Sequence, residues 1–146
     1  MSKVNALDLT KDFPRSPRTK LGGYVIAGRC IDKCRAVIAG TNGEYHYDCP
    51  LDKMWLEFAG VDADKLKEFV ATGADDAAIE QWISENSAGK SKEDIIKWNN
   101  DLRYKRICEM PDDLQVFLED YIDEVVPAGN IVYHWFDVYD IEEGRI

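Results

Sequence analysis

The chain has 146 residues, 18 basic and 28 acidic, for a formal net charge of −10; 45% of its residues are hydrophobic and 32% are charged. Such a composition excludes fibrous and disordered classes, and the length suits one compact domain that buries about 70% of its unfolded surface without a metal or disulfide staple. A pI near 4.6 argues against nonspecific nucleic-acid binding, and no apolar run approaches the roughly 20 residues of a membrane span.

Residues 1–5 lack the apolar core of a signal peptide, so the cytoplasm is the expected compartment. Residues 1–18 read as an extended arm: Pro14 and Pro17 forbid a helix, and Leu7, Leu9 and Phe13 offer anchors. Thr19 is a candidate N-cap for a long central helix running from about residue 20 to 39, closed by Gly40. On that helix Leu21, Tyr24, Ile31 and Ile38 share a face that Ile26, Cys30 and Val37 widen. Arg29, Asp32, Lys33 and Ala36 form its polar arc, and Arg35 falls on the apolar side, where it needs a partner or an exit to water.

Thr41-Asn42-Gly43 marks a turn, and residues 44–48 form a short extended segment. Pro50 opens a helix through Trp55 and Phe58 that Gly60 ends. Asp62 caps the next, with Leu66, Phe69 and Val70 inward and Gly73 closing it. Asp75 starts a helix carrying Ile79, Trp82 and Ile83. Ser91-Lys92-Glu93-Asp94 is a capping-box pattern ahead of Ile95, Trp98 and Leu102. Pro111-Asp112 begins a helix whose inward stripe is Leu114, Phe117, Leu118, Tyr121, Ile122 and Val125, broken by Pro127-Ala128-Gly129. Residues 131–141 suit helix or strand; helix is preferred because no partner strand exists. The predicted fold is all-α, a single domain of about six helices spanning residues 1–146.

Charge is uneven. Residues 1–40 hold eight bases against three acids, whereas no Lys or Arg stands between Arg106 and Arg145. Either the basic segment packs on an acidic body, or Arg15, Arg18, Arg29, Lys33 and Arg35 converge on an anion, which arginine forks bind bidentately. Glu44 and His46 bring acid–base groups to one loop, with alternation sending Tyr45 and Tyr47 to the other side.

Cys30, Cys34, His46 and Cys49 supply zinc-type ligands, but Cys-x3-Cys within a helix lacks the tight turn of a zinc knuckle. No metal or other cofactor is therefore expected, and buried reduced thiols are the simpler reading. His134, among Tyr133, Trp135 and Phe136, reads as an aromatic packing neighbour. Phosphate-cradling, EF-hand and hydrolase motifs are absent, and the acids from Glu109 to Glu124 follow helical spacing as a solvated face.

The strings Phe13-Pro14-Arg15-Ser16-Pro17, Gly28-Arg29, Asp32-Lys33, Arg35-Ala36 and Gly40-Thr41-Asn42-Gly43-Glu44-Tyr45 form a recognisable set, with Trp98-Asn99, Trp135-Phe136-Asp137 and Glu143-Gly144-Arg145. In these the chain resembles the bacterial domain-of-unknown-function family 5069 over almost its whole length. The resemblance implies relatives but no activity, and it implies that Cys30 and Cys34 are not fixed features. Three functional expectations follow. The leading one is a binding module for an anionic small molecule or an acidic partner segment. The second is a cofactor-independent enzyme using Glu44 and His46 on an acidic substrate, and the third a structural oligomer-forming domain.

Overall fold

The computed structural model describes residues 4–146; Lys3, one of the eight bases of the N-terminal segment, lies outside the described residues. The described chain is all-helical. It contains seven α-helices, α1 (Ala27–Ala39), α2 (Pro50–Ala59), α3 (Ala63–Val70), α4 (Asp76–Asn86), α5 (Lys92–Arg103), α6 (Asp112–Val125) and α7 (Trp135–Glu142), with a 3₁₀ turn at Ile107–Glu109 before α6. It forms two compact units that divide between Ile96 and Lys97, within α5.

In the first unit α1 packs on α2 and α3. Its core includes Val25, Ile31, Trp55, Leu66 and Ile79, with Tyr24 meeting Trp55 and Phe58 edge to face. The arm before α1 is held at Leu9, which is buried and whose N–H donates to the Thr41 carbonyl. Leu7 and Phe13, the other expected anchors, are exposed.

The expected helix from residue 20 starts late. Gly22 and Gly23 both have positive φ, 61° and 90°, and Leu21 and Tyr24 exchange backbone hydrogen bonds of 3.0 and 3.1 Å across them. That is the two-residue turn in which both central residues need positive φ, a role glycine fills at no steric cost. Thr19 lies in the preceding turn, its N–H donating to the Ser16 carbonyl, and caps nothing. Ile26 then enters α1 at φ 73°, a costly conformation for a β-branched residue, fully buried and pinned by a 2.8 Å bond from its N–H to the Pro17 carbonyl.

A second correction concerns the polar arc of that helix. Arg29, Asp32, Lys33 and Ala36 are all buried, and Arg35 finds its partners in Asp76 and the Ala74 carbonyl. Gly40 does close the helix in the left-handed region. Residues 44–48 are not extended either; among the described residues there is no strand, and this stretch is a pair of turns with Asp48 at φ 61°. The inward–outward alternation survives nonetheless, Tyr45 and Tyr47 being half-buried and Glu44 and His46 exposed.

Asp62 and Asp75 cap α3 and α4 through bonds to Lys65 N and Ala78 N, and Ser91 Oγ accepts from Asp94 N at the start of α5. Phe69 and Trp82 stack at 5.7 Å. In the second unit α6 packs on α7 and on the 3₁₀ turn. Leu118 is buried as expected, but Phe117 points to solvent. The ambiguous stretch 131–141 is helical from Trp135. The Asp137 carboxylate accepts from the Tyr133 and His134 N–H groups, which ties down the entry to α7. His134 meets Tyr104 edge to face at 6.1 Å, an aromatic neighbour as expected.

Gly60 ends α2 at φ 69°, and a Cβ there would stand 2.8 Å from the Ala88 Cβ. Gly60→Ala is expected to cost about 2 kcal/mol through the positive φ and the clash together. Adding Ala88→Gly should restore only the steric share, as read from urea denaturation of the two single variants and the double.

Candidate functional site

The N-terminal bases do not sit on one open surface. Arg15 is the hub. It lies outside regular structure between Pro14 and Pro17, and its N–H donates to Asp32 Oδ2 at 2.8 Å. Its Nε and Nη2 grip both Asp32 oxygens at 3.0 Å, while Nη1 and Nη2 reach Asp76 at 2.9 and 3.3 Å. A Cβ on Gly28 would come within 3.3 Å of Arg15 Nε, so the glycine clears the space in which the guanidinium lies.

Arg35 shares the same Asp76 carboxylate, Nη1 to Oδ1 at 3.0 Å, and donates Nη2 to the Ala74 carbonyl. Arg29 stands behind, its Nη1 on the Arg15 carbonyl and its guanidinium 5.6 Å over the Tyr45 ring. Arg18 is half-buried on the same arm, its N–H donating to Ser16 Oγ.

Electrostatics follow the geometry. Burial works against the Arg15 charge, but the hydrogen bonds and charges of Asp32 and Asp76 outweigh it and hold its pKa above the ordinary value. Burial likewise disfavours ionised Asp76, yet Arg15 and Arg35 together hold its carboxyl below 3.8. The Asp76 side chain remains 44% exposed. It stands at an open cavity of about 400 Å³ lined by Asn5, Arg35, Ala74, Asp75 and Asp76. Two of the expected bases, Arg15 and Arg35, are thus brought together on the Asp76 carboxylate, and Arg29 braces Arg15 through its carbonyl.

Lys33 goes elsewhere. Its Nζ lies 2.9 Å from Asp52 Oδ1 and donates to Cys49 Sγ at 3.2 Å, with both charged side chains almost fully buried. Asp52 Oδ1 receives no well-aligned hydrogen bond and is held by charge alone, while Oδ2 accepts from Asp48 N. Sequence reasoning missed this pair. Its trace was Asp52 in the first turn behind Pro50, a position that reads equally well as a helix-dipole acid.

The thiols around it are subdued. Burial pushes the Cys30 thiol well up and the Cys34 thiol to about 12. Burial also raises the phenol of Tyr47, whose hydroxyl donates to the Ala63 carbonyl at 2.8 Å. Among the described residues no three His, Cys, Asp or Glu side chains are arranged to hold a metal ion. Glu44 and His46 stand exposed on either side of Tyr45, the residue that turns to Arg29.

An all-α protein with arginines folded onto its own carboxylates is the class these observations define. Residues 11–145 match the family model described as a domain of unknown function (DUF5069), and the chain belongs to that family. No curated protein matches the chain. Among the described residues no helix is long and apolar enough to cross a membrane.

Two outcomes test the electrostatics. Lys33→Met should destabilise by about 3–5 kcal/mol by stranding the Asp52 charge, and Asp52→Leu in the same chain should recover most of it. Asp76 has a depressed folded pKa, so its contribution is complete above 3.8 and disappears as pH falls through the lower folded value. The Tm gap between wild type and Asp76→Asn should therefore be flat near neutrality and close in acid.

Proposed function

We propose that the protein is a cytoplasmic binding module whose ligand is a small anion, a carboxylate or phosphate compound, received where Asp76 now lies. The observation that carries the reading is the position of that carboxylate. It is half-exposed, shared between two guanidiniums, and at the wall of a cavity large enough for a metabolite. Asp76 occupies the arginines as a ligand carboxylate would, and an incoming anion displaces it rather than filling an empty site.

Arg35 spends two guanidinium bonds on the protein and has five N–H donors to offer. Asn5 adds an amide at the cavity wall. The cytoplasmic placement is supported by the four free cysteines, which suit a reducing compartment.

The test is titration with inorganic phosphate and with citrate, followed by calorimetry and by native mass spectrometry. Arg35→Gln is expected to weaken binding about tenfold or more, losing a charge-assisted pair. Asp76→Asn is expected to tighten it severalfold, because the internal competitor is gone. Absence of binding in both wild type and Asp76→Asn would reduce the cluster to a structural clasp and end this reading.

A further inference from the structure

In the second unit, α6 carries a face that its own packing leaves uncovered. Asp113, Val116, Phe117, Asp120 and Glu124 follow i, i+3, i+4, i+7, i+11 spacing and form one outward stripe, every member exposed. Leu118 faces the other way, into the core. Val116 is 68% exposed and Phe117 58%. Leaving two such side chains largely in water forgoes most of the free energy that their burial would contribute.

Phe117 is also held in place. It stacks on Tyr121 at 5.6 Å, and the Tyr121 hydroxyl donates to Glu142 Oε2 at 2.6 Å. On the flank of α6 that carries Gln115 and Glu119, a groove of about 240 Å³ is lined by those two residues with Ile107, Cys108 and Tyr133, and has Arg106 as its one base.

Arg106 apart, the charge that this stretch of chain supplies is of one sign. Residues 107–144 contain no Lys or Arg and eleven acids, and Arg145, the next base, is already bonded to Asp140 and Glu143. We propose that the outer stripe of α6 and its adjoining groove are the docking surface for a cationic amphipathic helix of a partner protein. Its apolar side chains cover Val116 and Phe117, and its Lys or Arg residues meet Asp113, Glu119, Asp120 and Glu124.

The occupant follows from complementarity. A second copy laid on this face would oppose acid to acid in a chain of net charge −10. Anionic lipid headgroups and nucleic acid are repelled for the same reason. A helix with apolar residues at i, i+3 and i+4 and basic flanks satisfies both the hydrophobic pair and the carboxylates.

The probe is a synthetic lysine–leucine peptide of about 15 residues with leucines at that spacing, long enough to form a helix when bound. A glutamate–leucine peptide of the same pattern serves as control. Binding is read by fluorescence anisotropy, and its location by amide shifts of the full chain. The lysine peptide is expected to shift residues 113–124 and 133. Phe117→Ser should weaken it about tenfold or more, and Asp120→Lys with Glu124→Lys should both weaken it and flatten its salt dependence. Both sites are exposed, so circular dichroism should be unchanged.

Shifts centred away from α6, or undiminished binding by Phe117→Ser, would overturn the proposal. So would dimerisation of the unliganded protein that Phe117→Ser abolishes, which assigns the face to a second copy. Equal binding of both peptides, or sedimentation with phosphatidylserine vesicles, would likewise refute the role of charge.

Discussion

The first compact unit depends on where one guanidinium is put. Arg15 comes from an arm with no regular structure of its own, and yet it makes contact with α1 through Asp32 and with the first residue of α4 through Asp76. A side chain that joins three segments fixes their mutual distances, which apolar contacts alone do less sharply because they carry no direction. The constraint propagates. A side chain at Gly28 would crowd the arginine, Pro14 is buried beside it, and Arg35 shares with it the Oδ1 of Asp76.

The charge asymmetry visible along the chain resolves into two different uses of charge. In the N-terminal part, bases are matched by internal acids: Arg15 with Asp32 and Asp76, Lys33 with Asp52. The Lys33–Asp52 pair, this far out of water, brings orientation more than net stability, since desolvation offsets much of its attraction. In the C-terminal part Asp137, Asp140 and Glu143 are bonded internally, but the acids of α6 are exposed to solvent. Counting charges in the sequence separated the two regions without distinguishing these behaviours.

Helices with a cap and an apolar stripe were legible in advance, as α2, α3, α4 and α6 illustrate, because Pro50, Asp62, Asp75 and Pro111 act within one turn of themselves. The start of α1 was not. Leu21, Tyr24 and Ile26 fit the helical period, and only the positive φ of Gly22, Gly23 and Ile26 shows that the chain turns back before it coils. The polar arc of α1 was misread for a related reason: a charged side chain signals solvent only when no partner is near, and Asp76 and Asp52 are supplied by helices remote in sequence. Phe117 shows the opposite failure, since periodicity assigns a residue to a stripe but does not say how wide a stripe its neighbours cover. Of the site, the residue types were legible; their grouping around Asp76 was a long-range fact.

The separation between Arg15 and Asp76, 61 residues along the chain against 17 between Arg15 and Asp32, sets an order of events during synthesis. At roughly 5–20 residues per second, the arginine waits about 3–12 s after its own translation before its second carboxylate has been made. During that interval Asp32 is the only one of its two acids to have been translated, and the arm has no α4 to rest on. The arm's ties to Asp32 and Thr41 need only chain made before α4, whereas the Asp76 half of the clasp needs α4 itself, so the cluster is completed in two stages.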